Sequence, residues 1–202
     1  MEDSVKPWAI LGNDFIYPYD VMRARPDVAY NNKQLAALDS SQPSVSIIKW
    51  CRDNDYAVMS APPIECSTMD VRELNIAHFC SEESGCYDNQ MFASDDKTSL
   101  GWLAIKKTPI ANSVGKNWNE KIGLLSTLER VPNVAEMSWF ITTYFEVRGI
   151  RLFREVRVLT SSLDSNGGHV SLGLFDAEGL NIDFWHDVNC VDSLGLSGGL
   201  KL

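Results

Sequence analysis

The spacing of apolar positions changes once along this chain. Before Ile150 they recur at helical intervals or in short continuous runs; from Ile150 onward they alternate with polar residues. The clearest helix follows Arg130. Val134, Met137, Trp139, Phe140, Tyr144 and Val147 cover more than half of its circumference, so it should be largely buried. Asn133 is placed to cap its start, Glu136 completes a capping box, and Gly149 suits its end. Toward the N-terminus, the aromatic stretch Trp8 to Tyr19 carries Pro18 and reads as extended chain or loop. Asp27 is placed to cap a helix through Leu35, Ala36 and Leu38, and Ser41 or Ser44 to start another that ends at Asp53-Asn54-Asp55. Tyr56 to Met59 reads as a strand stopped by Pro62-Pro63, and Ser67 to Phe79 as helix. Ser81 to Ser99 reads as loop, Leu100 to Ile105 as a buried strand, and Asn112 to Asn119 as a polar loop.

Beyond Ile150 the period is two. Phe153, Val156 and Val158 form a short strand. Val170, Leu172 and Leu174 alternate with Ser171 and Gly173; Leu180, Ile182 and Phe184 alternate with Asn181 and Asp183. Asp176-Ala177-Glu178-Gly179 joins these two runs as a hairpin turn, and the stretch from Leu194 to Leu202 reads as a last strand. The pattern predicts an α+β protein, with a helical N-terminal extension over residues 1–55 and a mixed domain over residues 56–202.

Composition narrows the function classes. The chain has 202 residues, of which 45% are hydrophobic and 22% charged, enough for a proper core without staples. A net charge of -9 repels phosphates, so nucleic acid is not an expected partner. No run approaches the roughly 18 apolar residues of a membrane helix, and membrane insertion is not expected. Met1-Glu2-Asp3-Ser4 opens with acid and no apolar run follows, which predicts a cytoplasmic or virion-associated protein without a secretory signal. The five cysteines, Cys51, Cys66, Cys80, Cys86 and Cys190, form no CxxC pair and read as free thiols; a Cys80–Cys86 bridge is the alternative. His78 is the only histidine near Cys80 and Cys86, and no second pair stands at finger-like spacing, so no zinc site is expected. The familiar nucleotide, phosphate, zinc-protease and serine-hydrolase motifs are absent, and no cofactor is expected.

The C-terminal segment stands out. Between Val158 and Leu200 there are six acidic residues, Asp164, Asp176, Glu178, Asp183, Asp187 and Asp192, and no lysine or arginine. They suit a calcium site or a solvated hairpin face with turn-forming aspartates, and the second reading is the one taken. Phe184 to Asp192 mixes aromatic, aliphatic and Asn/Asp residues without a period. That make-up fits a binding surface of the paratope kind and fits an irregular core loop equally.

Leu159-Thr160-Ser161-Ser162, then Asp164-Ser165-Asn166, a strand, Gly179, another strand and the terminal Leu194-Gly195-Leu196 resemble the C-terminus of C-type-lectin-like domains. Val131-Pro132-Asn133-Val134-Ala135-Glu136 is similar to the helix start that precedes the Ser/Thr turn in that group. Within it the chain most resembles the variable proteins of diversity-generating retroelements, bacterial or phage, over residues 100–202 and in part from Tyr56. The resemblance implies a C-type-lectin-like fold with a helical N-terminal extension, and a hypervariable C-terminal surface that binds a protein on a host or target-cell surface. Mutagenesis at adenines of asparagine codons cannot produce Trp, Lys, Glu, Gln or Met. His169, Ser171, Leu174, Asn181, Asp183, Phe184, His186, Val188, Asn189, Cys190, Val191 and Ser193 are then candidates for the variable, ligand-binding surface. Trp185, Glu178 and Lys201 are scaffold, with no catalytic or metal-binding residue implied. Formylglycine-generating enzymes share the implied fold but need an active cysteine pair, which has no counterpart here. An enzyme of that type is one alternative, and a structural phage component another.

Overall fold

A computed structural model describes residues 6–81, 87–185 and 191–202. Pro7 opens helix α1 (Pro7–Leu11), Phe15–Ile16 forms strand β1, and Pro18 opens α2 (Pro18–Ala24). The expected extended segment is therefore partly helical. Proline at a first helical position loses no intrahelical bond, because that N–H is unpaired in any helix. Helix α3 (Asn32–Ser40) starts at Asn31 rather than Asp27: Asn31 Oδ1 accepts from Gln34 N at 2.9 Å, and Gln34 Oε1 accepts from Asn31 N at 2.8 Å. Helix α4 (Val45–Asp53) starts at Ser44, one of the two expected caps.

Strand β2 (Tyr56–Ser60) is buried at every position. The stretch after it contains α5 (Thr68–Leu74) and a 3-10 turn at Ile76–His78. The segment expected as loop carries α6 (Met91–Asp95), followed by β3 (Trp102–Lys106). The second expected loop ends in α7 (Trp118–Ile122), and β4 (Glu129–Arg130) leads to α8 (Val134–Arg148). The remaining strands are β5 (Arg157–Leu163), β6 (His169–Gly173), β7 (Asn181–Trp185), β8 (Leu194–Leu196) and β9 (Gly199–Leu200).

These strands form two mixed sheets, ordered β1-β2-β3-β9-β4 and β7-β6-β5-β8. The architecture is α+β. Helix α8 packs against β3 of the first sheet and against β5 and β6 of the second. It is buried from Val134 to Tyr144, as an apolar pattern over more than half of its circumference predicts. Its capping box is closed: Asn133 Oδ1 accepts from Glu136 N at 2.9 Å and Glu136 Oε2 from Asn133 N at 3.1 Å. Gly149 ends the helix at φ 69°, a left-handed conformation that suits glycine.

Thr160-Ser161-Ser162, expected as a turn, lies inside β5. Ser162 Oγ accepts from Val134 N at 2.9 Å and Ser161 N donates to Pro132 O at 3.0 Å, so β5 docks on the start of α8. Residues before Tyr56 share the main core: Phe15, Ile16, Val21, Leu38 and Ile48 join Val58, Trp139, Leu172 and Ile182 in one buried cluster. The segment expected as a helical extension thus supplies a strand and core side chains as well as helices.

Candidate functional site

The register of the second sheet sorts the candidate residues onto two faces. Val158, Leu172 and Ile182 lie side by side across β5, β6 and β7, with Val170 beside Phe184. All five pack into or against the main core. Strand alternation places the intervening rows on the opposite, outer face. These rows are Leu159 with Ser171 and Asp183, Leu163 with His169 and Trp185, and Arg157 with Gly173 and Asn181. Gly173 has φ 149°, and a Cβ there would stand 2.2 Å from Val156 O, so only glycine admits this strand crossing.

A second apolar cluster covers part of the outer face. Ile110, Leu159, Leu194 and Leu196 form its buried centre, and Trp118, Leu125, Val131, Trp185 and Val191 pack around them. Trp118 stacks on His169 with centroids 3.4 Å apart and rings 19° from parallel. The Nδ1–H of His169 faces Thr160 O at 3.0 Å.

Asn181 and Asp183 are half-buried on the outer face, as expected of outward positions. His169 is 8% exposed and Ser171 0%, so both are covered rather than displayed. Trp118 covers His169, and the cluster it belongs to, with Ile110, Leu125 and Val131, packs on Leu159 beside Ser171. Phe184 turns to the core side and meets Phe92 edge-on at 5.8 Å. Leu174 lies just past β6 at φ 47°, half-buried, and its carbonyl accepts from Asn181 Nδ2 at 3.4 Å. It is therefore neither a strand residue nor an inward partner of Leu172. Val191 joins the second cluster, and Ser193 is exposed with its carbonyl accepting from Arg157 N at 2.9 Å. His186, Val188, Asn189 and Cys190 lie outside the described residues.

Trp118 is the residue that sequence reasoning passed over. Its signal was present: Asn117 and Glu120 form the same box as Asn133 and Glu136, with Asn117 Oδ1 accepting from Glu120 N at 3.0 Å. Trp118 follows that cap directly, which marks a helix start with an aromatic side chain rather than a polar loop.

Asp164, Asp176 and Asp183 serve the backbone. Asp164 Oδ1 accepts from Asn166 N at 2.9 Å and Gly168 N at 2.7 Å; Asp176 Oδ1 accepts from Glu178 N and Asp183 Oδ1 from Phe184 N, each at 2.8 Å. Such bonds make aspartate a turn former. Among the described residues no three His, Cys, Asp or Glu side chains gather as a metal would require.

Cys51, Cys66 and Cys80 are buried free thiols; Cys86 lies outside the described residues. Burial pushes the Cys51 thiol up to about 12 and raises that of Cys66, the opposite of what a nucleophilic thiolate needs. His78 Nε2 lies 2.5 Å from Glu146 Oε1, which also accepts from Asn75 Nδ2 at 2.8 Å. Burial disfavours the Glu146 carboxylate, but the bonds from His78 and Asn75 outweigh it and hold its pKa below the usual range. This pair ties the 3-10 turn to α8.

Among the described residues no helix is long and apolar enough to cross a membrane. Comparison with known proteins gives no match, whether to family models, to curated sequences or to solved structures.

Proposed function

We propose that this protein binds an external ligand without covalent chemistry, through the exposed part of the outer face of its second sheet. On this reading the scaffold is of the C-type-lectin-like kind and the surface residues are diversified by a retroelement. The ligand is a protein on a host or target-cell surface. The observation that carries the reading is the division of labour across β6 and β7: Leu172 and Ile182 are buried in the core while Asn181 and Asp183 stand half-exposed opposite them. A rigid inner face with a mixed outer one lets surface side chains vary without cost to the core. The contact between Thr160-Ser161-Ser162 and the start of α8 also supports it, since the two stretches that resemble the lectin-like group meet in space.

The experiment is a pair of measurements on the triple variant Asn181→Ala, Asp183→Ala, Ser193→Ala. Asn181 and Asp183 are half-buried and each makes a side-chain hydrogen bond to the backbone, so those two changes should cost about 0.5–1.5 kcal/mol each and the exposed Ser193 less. The melt should stay cooperative, while capture of a partner from a panel of displayed host-surface proteins is lost or redirected. An unfolded variant, or one that holds the same partner with unchanged affinity, overturns the binding face. The retroelement part has its own check in the DNA beside the gene. A reverse transcriptase and a near-identical repeat differing at adenines are expected there, and their absence rejects diversification while leaving the binding face standing.

A further inference from the structure

A concave pocket of about 310 Å³ lies between α2, α3 and β3, elements that contribute nothing to the outer face of the second sheet. Trp102, 7% exposed, forms part of its wall, and its Nε1–H is taken by Leu38 O at 2.9 Å. What the indole offers the pocket is therefore ring surface rather than a donor. The Tyr17 ring stands at 82° to it with centroids 6.4 Å apart. Phe15 packs on both rings, 4.7 Å from Tyr17 and 5.0 Å from Trp102, and holds this corner in place. Tyr19, 61% exposed, adds a further aromatic side chain at the mouth.

Asp39 also lines the pocket, and among the described lining residues it is the one charged side chain. Asp39 brings a negative charge to the pocket wall, where its Oδ1 accepts from Gln42 Nε2 at 3.0 Å. Burial raises the pKa of the Tyr17 hydroxyl, and the charges of Asp39 and Asp20 raise it further. Aromatic faces attract cations through their quadrupoles, and several such faces beside a carboxylate recognise quaternary ammonium groups. A volume near 300 Å³ suits a small molecule. A proline-rich peptide, the other ligand of aromatic grooves, lies extended along its site. Here the near-perpendicular rings close a corner instead.

We propose that this pocket binds the methylated ammonium head of a small organic cation. The test titrates choline into the full chain and follows heat and tryptophan fluorescence, with dimethylbutanol, its uncharged carbon isostere, as the control. Choline should bind saturably, and the isostere at least about tenfold more weakly, because it lacks the charge that the ring faces attract. Asp39→Asn and Tyr19→Ala alter exposed residues and should leave the melting midpoint in place while weakening choline by about threefold or more each. If Tyr19→Ala proves unfolded, Asp39→Asn decides alone. Equal affinity for the isostere, no saturable binding of choline, undiminished binding by folded variants, or a response to a proline-rich peptide but not to choline would each overturn the proposal.

Discussion

Glu136 gathers several strong hydrogen bonds at one buried carboxylate. Its carboxylate, 2% exposed, takes both terminal nitrogens of Arg130 at 2.6 and 2.8 Å, the hydroxyl of Ser99 and the backbone N–H of Asn133. Burial alone would disfavour the charge; the bonds from Arg130, Ser99 and Asn133 outweigh it and hold the pKa below the ordinary carboxylate value. A depressed folded pKa stabilises the protein above the unfolded pKa, and that stabilisation disappears as pH falls through the folded value. Glu136→Gln should therefore lower stability at neutral pH by about 1–3 kcal/mol and flatten the acid side of the stability curve. Denaturant melts from pH 7 to pH 3 read both effects, and an acid limb as steep as in the parent would refute the assignment. Asn133→Ala removes the other half of the same box and should cost about 1 kcal/mol. An unchanged denaturation midpoint would mean that Asn133 does not cap α8.

Among the elements, the β6–β7 hairpin makes the sharpest demands on sequence. Gly179 has φ 118°, and a Cβ there would stand 2.5 Å from the Phe79 carbonyl carbon, beside the bridge between Phe79 and Leu180. Gly179→Ala should cost about 1–3 kcal/mol through backbone strain alone, with more from the clash. Leu172→Ala, at a fully buried position, should cost roughly 2–5 kcal/mol. Melts of both variants are expected to fall below those of Asn181→Ala, and the reverse order would mean that the two faces of the hairpin have been exchanged. This hairpin was legible from alternation and turn chemistry, and α8 from its caps, because local signals there agree with the tertiary environment. The Thr160-Ser161-Ser162 strand was not. Thr160 and Ser162 are buried because backbone groups satisfy them, Thr160 Oγ1 donating to Val170 O at 2.8 Å and Ser162 Oγ accepting from Val134 N, while Ser161 between them is exposed. Polar residues at such positions look like a turn until their partners are known. The candidate face was legible only in part. Period two assigned Asn181 and Asp183 to the outer side, but nothing local announces that Trp118 and its neighbours cover His169.

For the whole molecule, the question is whether the first 55 residues are an appendage or part of the fold. Strand β1 pairs in parallel with β2, Phe15 beside Val58 and Ile16 beside Met59. Phe15 is 2% exposed, and Ile16, Val21, Ile48 and Cys51 are fully buried, all in the core that also holds Trp139 and Leu172. Buried and partly buried polar contacts tie the same segment down. Tyr30 Oη donates to Ala61 O and Arg25 Nη2 to Thr142 Oγ1, both at 2.6 Å; Tyr144 Oη donates to Asp14 Oδ1 at 2.7 Å. Magnitudes decide the outcome of removing it. A single large side chain lost from a core costs roughly 2–5 kcal/mol. Several lost together exceed the roughly 5–15 kcal/mol that separates a typical folded domain from its unfolded state. The fragment beginning at Tyr56 should therefore lack a cooperative thermal transition and bind hydrophobic dyes, whereas the full chain melts once. A fragment that melted cooperatively, with the near-ultraviolet dichroism of packed tryptophans, would show instead that residues 56–202 fold alone and that the first segment only leans on them.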